Sequence, residues 1–209
     1  MHVVTPGFTL VDDLGTVPDL ALGLRFNDGA CDPQGRLWIG TTDQAESATG
    51  SVYRLERGAA PVSMIEGVDC PNGLAWSADG AHLYFVETVL RRIYRFEWSG
   101  ATGTLGEPVI LVQFEESGPL PDGMALDTDG RLWVAFWGGG MVLRISAAGE
   151  PEFRVDVDCA HPTSVAFGNA GTGDLYITSA LRPSESGDAG GRLYRATVPA
   201  DGAPVHRFA

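Results

Sequence analysis

Residues 122–136 read DGMALDTDGRLWVAF, and the order of residue types within them decides the fold. A polar residue and a glycine open the stretch, an apolar-rich run follows, Asp129-Gly130 marks a turn, and a second apolar run contains Leu132-Trp133. Period-two alternation within such runs is the mark of strands, and an Asp-Gly link between them marks a hairpin. The same arrangement recurs at 28–42 (DGACDPQGRLWIGTT), at 72–88 (NGLAWSADGAHLYFVET) and at 163–179 (TSVAFGNAGTGDLYITS). Three copies lead into a strand carrying one arginine, at 52–55 (VYRL), 93–96 (IYRF) and 142–145 (VLRI), and the fourth leads into 193–195 (LYR).

The residues that follow each polar slot, Gly29, Gly73, Gly123 and Ser164, stand 44, 50 and 41 positions apart. A period of about 40–50 residues built from three or four short strands is the signature of propeller blades. A ladder of hairpins in a sandwich has no need of a polar residue recurring at one place, so an all-β propeller is expected, as a single domain over 1–209. At that spacing 209 residues supply about five blades. An open ring leaves strand edges unpaired, which predicts self-association through those edges. The chain also starts abruptly, in what reads as an outer strand at 8–11 (FTLV). Closure is expected from sequence upstream of this point rather than from another chain.

Composition narrows the function classes. The 28 glycines and 13 prolines show no collagen-like period, and with charged residues at an ordinary 20% they indicate many turns rather than disorder. The net charge of −13 repels phosphate backbones and anionic lipids, which argues against nucleic acid and membrane partners and is compatible with cations. Cys31, Cys70 and Cys159 are widely spaced and form no CxxC pair, which suggests a reducing compartment. No signal-peptide pattern opens the chain, so a cytoplasmic location is expected.

The slot at the head of the first strand of each repeat holds Asp28, Asn72, Asp122 and Thr163 in turn. First strands line the central channel of a propeller, so these oxygen-bearing side chains would face one cavity. Such donors suit Ca²⁺, Mg²⁺ or Mn²⁺, with Zn²⁺ also admissible. Asn-Gly and Asp-Gly are equally common hairpin dipeptides. Each of the first three repeats, however, already has a turn several residues later, at Asp32-Pro33-Gln34-Gly35, Asp79-Gly80 and Asp129-Gly130. Spacing alone leaves both readings of the slot open.

Four motifs in order resemble one family. Arg25-Phe26-Asn27-Asp28-Gly29 with Asp32-Pro33 and Gly35-Arg36 resembles the RFNDG…DPxGR segment of SMP-30/gluconolactonase/LRE-like proteins. The stretches at 71–77 (PNGLAWS), 121–124 (PDGM) with 132–135 (LWVA), and 162–168 (PTSVAFG) are similar to three further segments of that family. The resemblance implies a six-bladed propeller, here incomplete and lacking the N-terminal blade, that hydrolyses sugar lactones with one divalent metal ion. It implies Asn72 and Asp122 as metal ligands, Asp122 also as general base on the hydrolytic water, and Arg25 and Asn27 as lactone contacts. Arg25 as a surface ion pair and Asn27 as a turn residue are the alternatives, and a structural hydrogen bond is the expected role of Asp28.

The family's third ligand, a glutamate in an E-[GS]-P-x-W segment upstream of RFND, has no counterpart, since no Glu precedes Arg25. An acidic substrate contact falls to either Asp43 or Glu46. A non-catalytic propeller that binds a small molecule or a protein is the alternative function. GxSxG, HExxH and GxxxxGK[ST] are all absent, which removes serine-hydrolase, zincin and P-loop chemistries.

Overall fold

The computed structural model describes residues 2–4, 10–43, 50–168, 171–182 and 190–209. Among these residues the regular elements are strands apart from a 3₁₀ helix at Pro18–Leu22, and no helix is long and apolar enough to cross a membrane. The chain divides into two compact units, Met1–Pro71 with Val205–Ala209, and Asn72–Pro204.

In the first unit β1 (His2–Val4) pairs with β2 (Leu10–Asp13). The expected outer strand at 8–11 thus falls partly in β2, and Phe8 and Thr9 lie outside the described residues. An antiparallel four-stranded sheet follows: β3 (Arg25–Cys31), β4 (Leu37–Thr42), β5 (Gly50–Leu55) and β6 (Val62–Val68). From Asn72 on, the second unit holds β7 (Pro71–Trp76, whose first residue closes the first unit's main segment), β8 (His82–Glu87), β9 (Arg92–Ser99) and β10 (Thr104–Gln113) as another such sheet. A third comprises β11 (Leu120–Leu126), β12 (Leu132–Trp137), β13 (Met141–Ile145) and β14 (Pro151–Asp156). The last has three strands, β15 (Pro162–Phe167), β16 (Asp174–Ser179) and β17 (Leu193–Thr197).

Among the described residues there are four blade-type sheets, not about five. Division by the repeat length overcounted because residues at both ends are spent outside blades. The β1–β2 pair, the 3₁₀ helix and the segment after β17 belong to no four-stranded sheet.

Strand β12 shows why these sheets stack. Its alternate residues Leu132, Val134 and Phe136 enter one core cluster with Tyr84, Val86 and Ile93 of the preceding sheet. The intervening Trp133 and Ala135 enter another with Val165, Leu175 and Ile177 of the following sheet. A strand buried on both faces reads as a continuous apolar run, and LWVAFW is one.

The hairpin between the first two strands of a blade carries a recurring polar device. Asp127 is fully buried and accepts hydrogen bonds from the Trp133 indole (2.9 Å), Arg144 Nε (2.8 Å) and the amides of Asp129 (3.0 Å) and Arg131 (2.9 Å). Asp32 does the same in the first unit, accepting from the Trp38 indole (2.9 Å), Arg36 Nε and the amides of Gln34 and Arg36. A buried indole N–H needs an acceptor. Where the blade carries tyrosine instead, the turn residue changes. Ser77 stands before Tyr84, its hydroxyl taking the amides of Ala81 and His82, and Gly168 stands before Tyr176.

The first unit buries a second carboxylate. Asp19, in the 3₁₀ helix, accepts from the hydroxyls of Thr41 and Tyr53, the latter at 2.7 Å. Burial, reinforced by the hydrogen bond to Asp19, pushes the Tyr53 phenol up to about 12 from its ordinary 10. Because the folded value lies above the unfolded one, this stabilisation is fully present below pH 10. It is lost as pH rises from there through about 12. Urea midpoints measured between pH 8 and pH 12 should therefore fall in the wild type, and the fall should be shallower in Tyr53→Phe. Parallel profiles for the two proteins would remove Tyr53 as the cause.

Candidate functional site

In the first, third and last sheets the recurring polar slot lies in a β-bulge. In the third sheet Pro121 pairs with Phe136 and Met124 with Val134, so Asp122 and Gly123 together oppose Ala135. In the first sheet Phe26 pairs with Thr41 and Gly29 with Ile39, which sets Asn27 and Asp28 against Gly40. In the last sheet Thr163 is the extra residue between the pairs Pro162–Ser179 and Ser164–Thr178. Bulges bend a strand and re-aim its side chains, and they concentrate near functional sites. The Asp-Gly dipeptides at 28–29 and 122–123 are thus not hairpin turns, because they lie inside strands.

In the second unit, the glycines after Asn72 and Asp122 let neighbouring first strands touch. A Cβ on Gly73 would lie 2.9 Å from Met124 N and 3.0 Å from Asp122 O, and one on Gly123 would lie 2.2 Å from Ser164 Oγ. Asn72 and Asp122 are thereby carried on backbones in direct contact. Asn72 is buried and Asp122 is half-buried. Asn72 Nδ2 donates to Thr88 Oγ1 (2.8 Å), and Thr88 Oγ1 donates to Pro121 O (2.7 Å), the carbonyl just before Asp122. At the fourth slot Thr163 Oγ1 shares a hydrogen bond with Thr178 Oγ1 at 2.8 Å.

The first unit holds the other predicted residues. Arg25 Nη1 donates to Asn27 Oδ1 (2.8 Å) and to Phe26 O (3.1 Å), while Asn27 Nδ2 donates to Pro71 O (2.9 Å). Asn27 is therefore engaged at both ends of its amide and ties β3 to the last residue of the first unit's main segment, Pro71. Asp28 accepts from the Gly29 amide (2.8 Å), and burial raises its carboxyl above the ordinary range against that bond. Asp43 follows β4 and is half-buried, and Glu46 lies outside the described residues.

Sequence reasoning missed two features at this end of the second unit. Thr88 is one. The other is a stack in which Trp137, opposite Leu120 in the β11–β12 register, lies 4.4 Å from the His161 ring with Arg182 over the indole at 5.6 Å. The residue types alone carried no signal for either, since both depend on strand ends meeting in space. A surface hollow lined by Thr128, Asp129, Gly171 and Asp201 sits instead at the hairpin end of β11, opposite to Asp122.

An amide oxygen and a carboxylate are hard donors, so Asn72 and Asp122 fit an oxygen-coordinated divalent cation in kind. Among the described residues, no group of three or more His, Cys, Asp or Glu side chains is placed to hold a metal.

A family model described as the SMP-30/gluconolactonase/LRE-like region matches residues 8–181. Pentonolactonase XacC of Haloferax volcanii is 36% identical over 192 residues, covering 88% of this chain and 66% of that protein. Regucalcin of Danio rerio is 36% identical over 160 residues, covering 75% and 54%. The solved structure of a calcium-binding protein, regucalcin from Agrobacterium tumefaciens, superposes with a TM-score of 0.89 at 26% identity, covering 97% of this chain and 70% of that one. The chain thus spans between about half and two thirds of the length of these two curated relatives.

Proposed function

The chain belongs to the SMP-30/gluconolactonase/LRE-like family, and from that premise we propose that it hydrolyses sugar lactones with the help of one divalent cation. The observation that carries the reading is the placement of Asn72 and Asp122 on touching first strands, tied to one threonine. Asn72 Oδ1 and the Asp122 carboxylate would hold the ion, with Ca²⁺, Mg²⁺, Mn²⁺ and Zn²⁺ as candidates. A bound cation would polarise the lactone carbonyl and make a water molecule more acidic. Asp122 accepts the proton of that water as its oxygen attacks, and returns it to the ring oxygen as the ester bond opens. Arg25 and Asn27 are assigned to the lactone on the motif resemblance, and the Arg25–Asn27 hydrogen bond orients the pair before substrate arrives.

The four blades would form part of a six-bladed ring, and the open edges of an incomplete ring would favour self-association. A reducing, cytoplasmic setting fits three cysteines that form no disulfide. The alternative, a propeller that binds a small molecule or a protein without turnover, is favoured by the two-residue donor set, since cation affinity follows ligand number and charge.

Calorimetric titration of the metal-stripped chain with Ca²⁺, Mn²⁺ and Zn²⁺, followed by a gluconolactone assay, separates the two. One-to-one binding with turnover that chelator abolishes is the expected outcome. Full turnover in the presence of chelator would overturn the metal-assisted mechanism, and binding of neither cation nor lactone would overturn the enzyme.

A further inference from the structure

The geometry points to Thr88 as a positioning residue for both proposed ligands, orienting the Asn72 amide and holding the strand that carries Asp122. This assignment rests on the metal reading of that site. Thr88 directly follows β8 and is buried. A threonine hydroxyl has one proton and two acceptor positions. That proton goes to Pro121 O at 2.7 Å, so toward Asn72 the hydroxyl acts only as acceptor. Asn72 must then present its NH₂ group, and does so at 2.8 Å. Turning the amide over would set Oδ1 against an oxygen whose proton is already committed. Proton counting thus directs Asn72 Oδ1, the atom a hard cation would use, to the side of the amide away from Thr88. The same hydroxyl ties β8 to the carbonyl preceding Asp122, so one side chain governs one ligand's orientation and the other's backbone.

A second threonine in the chain separates the two roles. Thr42 ends β4 as Thr88 follows β8, and its hydroxyl likewise donates to a backbone carbonyl, that of Asp69 at 2.7 Å. Asn27, however, donates to Pro71 O rather than to Thr42. The link from threonine to carbonyl is therefore common to both repeats, whereas the link to a slot amide belongs to Thr88.

The test uses Thr88→Val, Thr88→Ser and Thr42→Val in the full chain. It reads the dissociation constants for Ca²⁺ and Mn²⁺ by calorimetry, and the Asn72 side-chain amide resonances by NMR without metal. Thr88→Val should weaken cation binding about tenfold or more, the usual range for a residue behind a ligand, and shift the Asn72 amide signals. Thr88→Ser keeps the hydroxyl and should stay within about threefold of wild type, with Thr42→Val within about twofold. Wild-type affinity in Thr88→Val, or an equal loss in Thr42→Val, overturns the assignment. If Thr88→Val does not fold, Thr88→Ala is read by the same criteria. Should the wild type bind neither cation, the metal reading falls and NMR decides the rest. Unchanged Asn72 amide signals in Thr88→Val then overturn the orienting role as well, and shifted ones uphold the orientation of the Asn72 amide without a ligand role.

Discussion

Asp122→Ala is expected to abolish lactone hydrolysis while leaving the chain folded. Asp122 sits in a bulge of β11, and its neighbours Pro121, Gly123 and Met124, not Asp122 itself, are buried. Truncation at a half-buried bulge position leaves no core cavity, so the thermal midpoint should move little. The chemical cost is large because the residue serves twice. Loss of a general base alone costs about 10²–10⁴ in rate, and loss of a charged ligand adds weaker cation binding. A fall in kcat/KM on the order of 10³ or more is therefore anticipated. Asp122→Asn separates the roles, since an amide oxygen can still contact the ion but cannot accept the water's proton. It should retain part of the calorimetric cation signal and still lose turnover. Turnover within tenfold of wild type in Asp122→Ala, in a folded protein, would sink the mechanism.

Asp127→Ala is expected to carry the largest stability loss of any single change considered. Its carboxylate is fully buried and receives the Trp133 indole, Arg144 Nε and two backbone amides. Removing it strands the buried Trp133 indole N–H and two backbone amides, and leaves Arg144 with Asp129 at 2.9 Å as its remaining close carboxylate. Each buried donor left without an acceptor costs about 1–3 kcal/mol, so a total loss of about 3–5 kcal/mol is expected even with Arg144 still held by Asp129. Trp133 also packs the cluster shared with the last sheet, so unfolding of the second unit should shift as a whole. Ser77→Ala, at the matching turn of the tyrosine-bearing blade, should cost only about 1 kcal/mol, the net value of ordinary hydrogen bonds. Chemical denaturation of the two variants measures the contrast. Equal and small losses would mean that the aspartate is not the acceptor the tryptophan depends on.

The repeated DGMALDTDGRLWVAF pattern was enough to identify strands, hairpins and blades, because period-two alternation and turn chemistry are local properties of the chain. The buried LWVAFW run, apolar on both faces, is legible for the same reason. Four ordered motifs were likewise enough to identify the family. A polar position at the head of each first strand was legible too, but neither its conformation nor its register, since the pairs Phe26–Thr41 and Pro121–Phe136 set Asn27 rather than Asp28 at the place Asp122 holds. Asp122-Gly123 looks the same in a sequence whether it turns a hairpin or bulges a strand, and only the pairing of Pro121 with Phe136 and of Met124 with Val134 distinguishes them.

The blade count was misjudged because a repeat length says how many units could be built, not which residues are spent elsewhere. The aspartate–tryptophan pairs had a readable signal, in that Asp32 and Asp127 each stand six residues before a tryptophan while the two tyrosine blades lack the aspartate. Thr88 had none, because its partners Asn72 and Pro121 come from different strands and different sheets.

Residue types and their spacing alone determined the secondary structure, the blade repeat, the family and the oxygen-donor character of the slot. Those properties follow from side-chain chemistry and from neighbours a few positions away. Tertiary structure alone decided how the Asn72 amide is oriented and which backbones touch at Gly73 and Gly123. Each of these depends on where a single proton or a missing Cβ falls between strand ends that only folding brings together, which is a matter of packing and not of local chemistry.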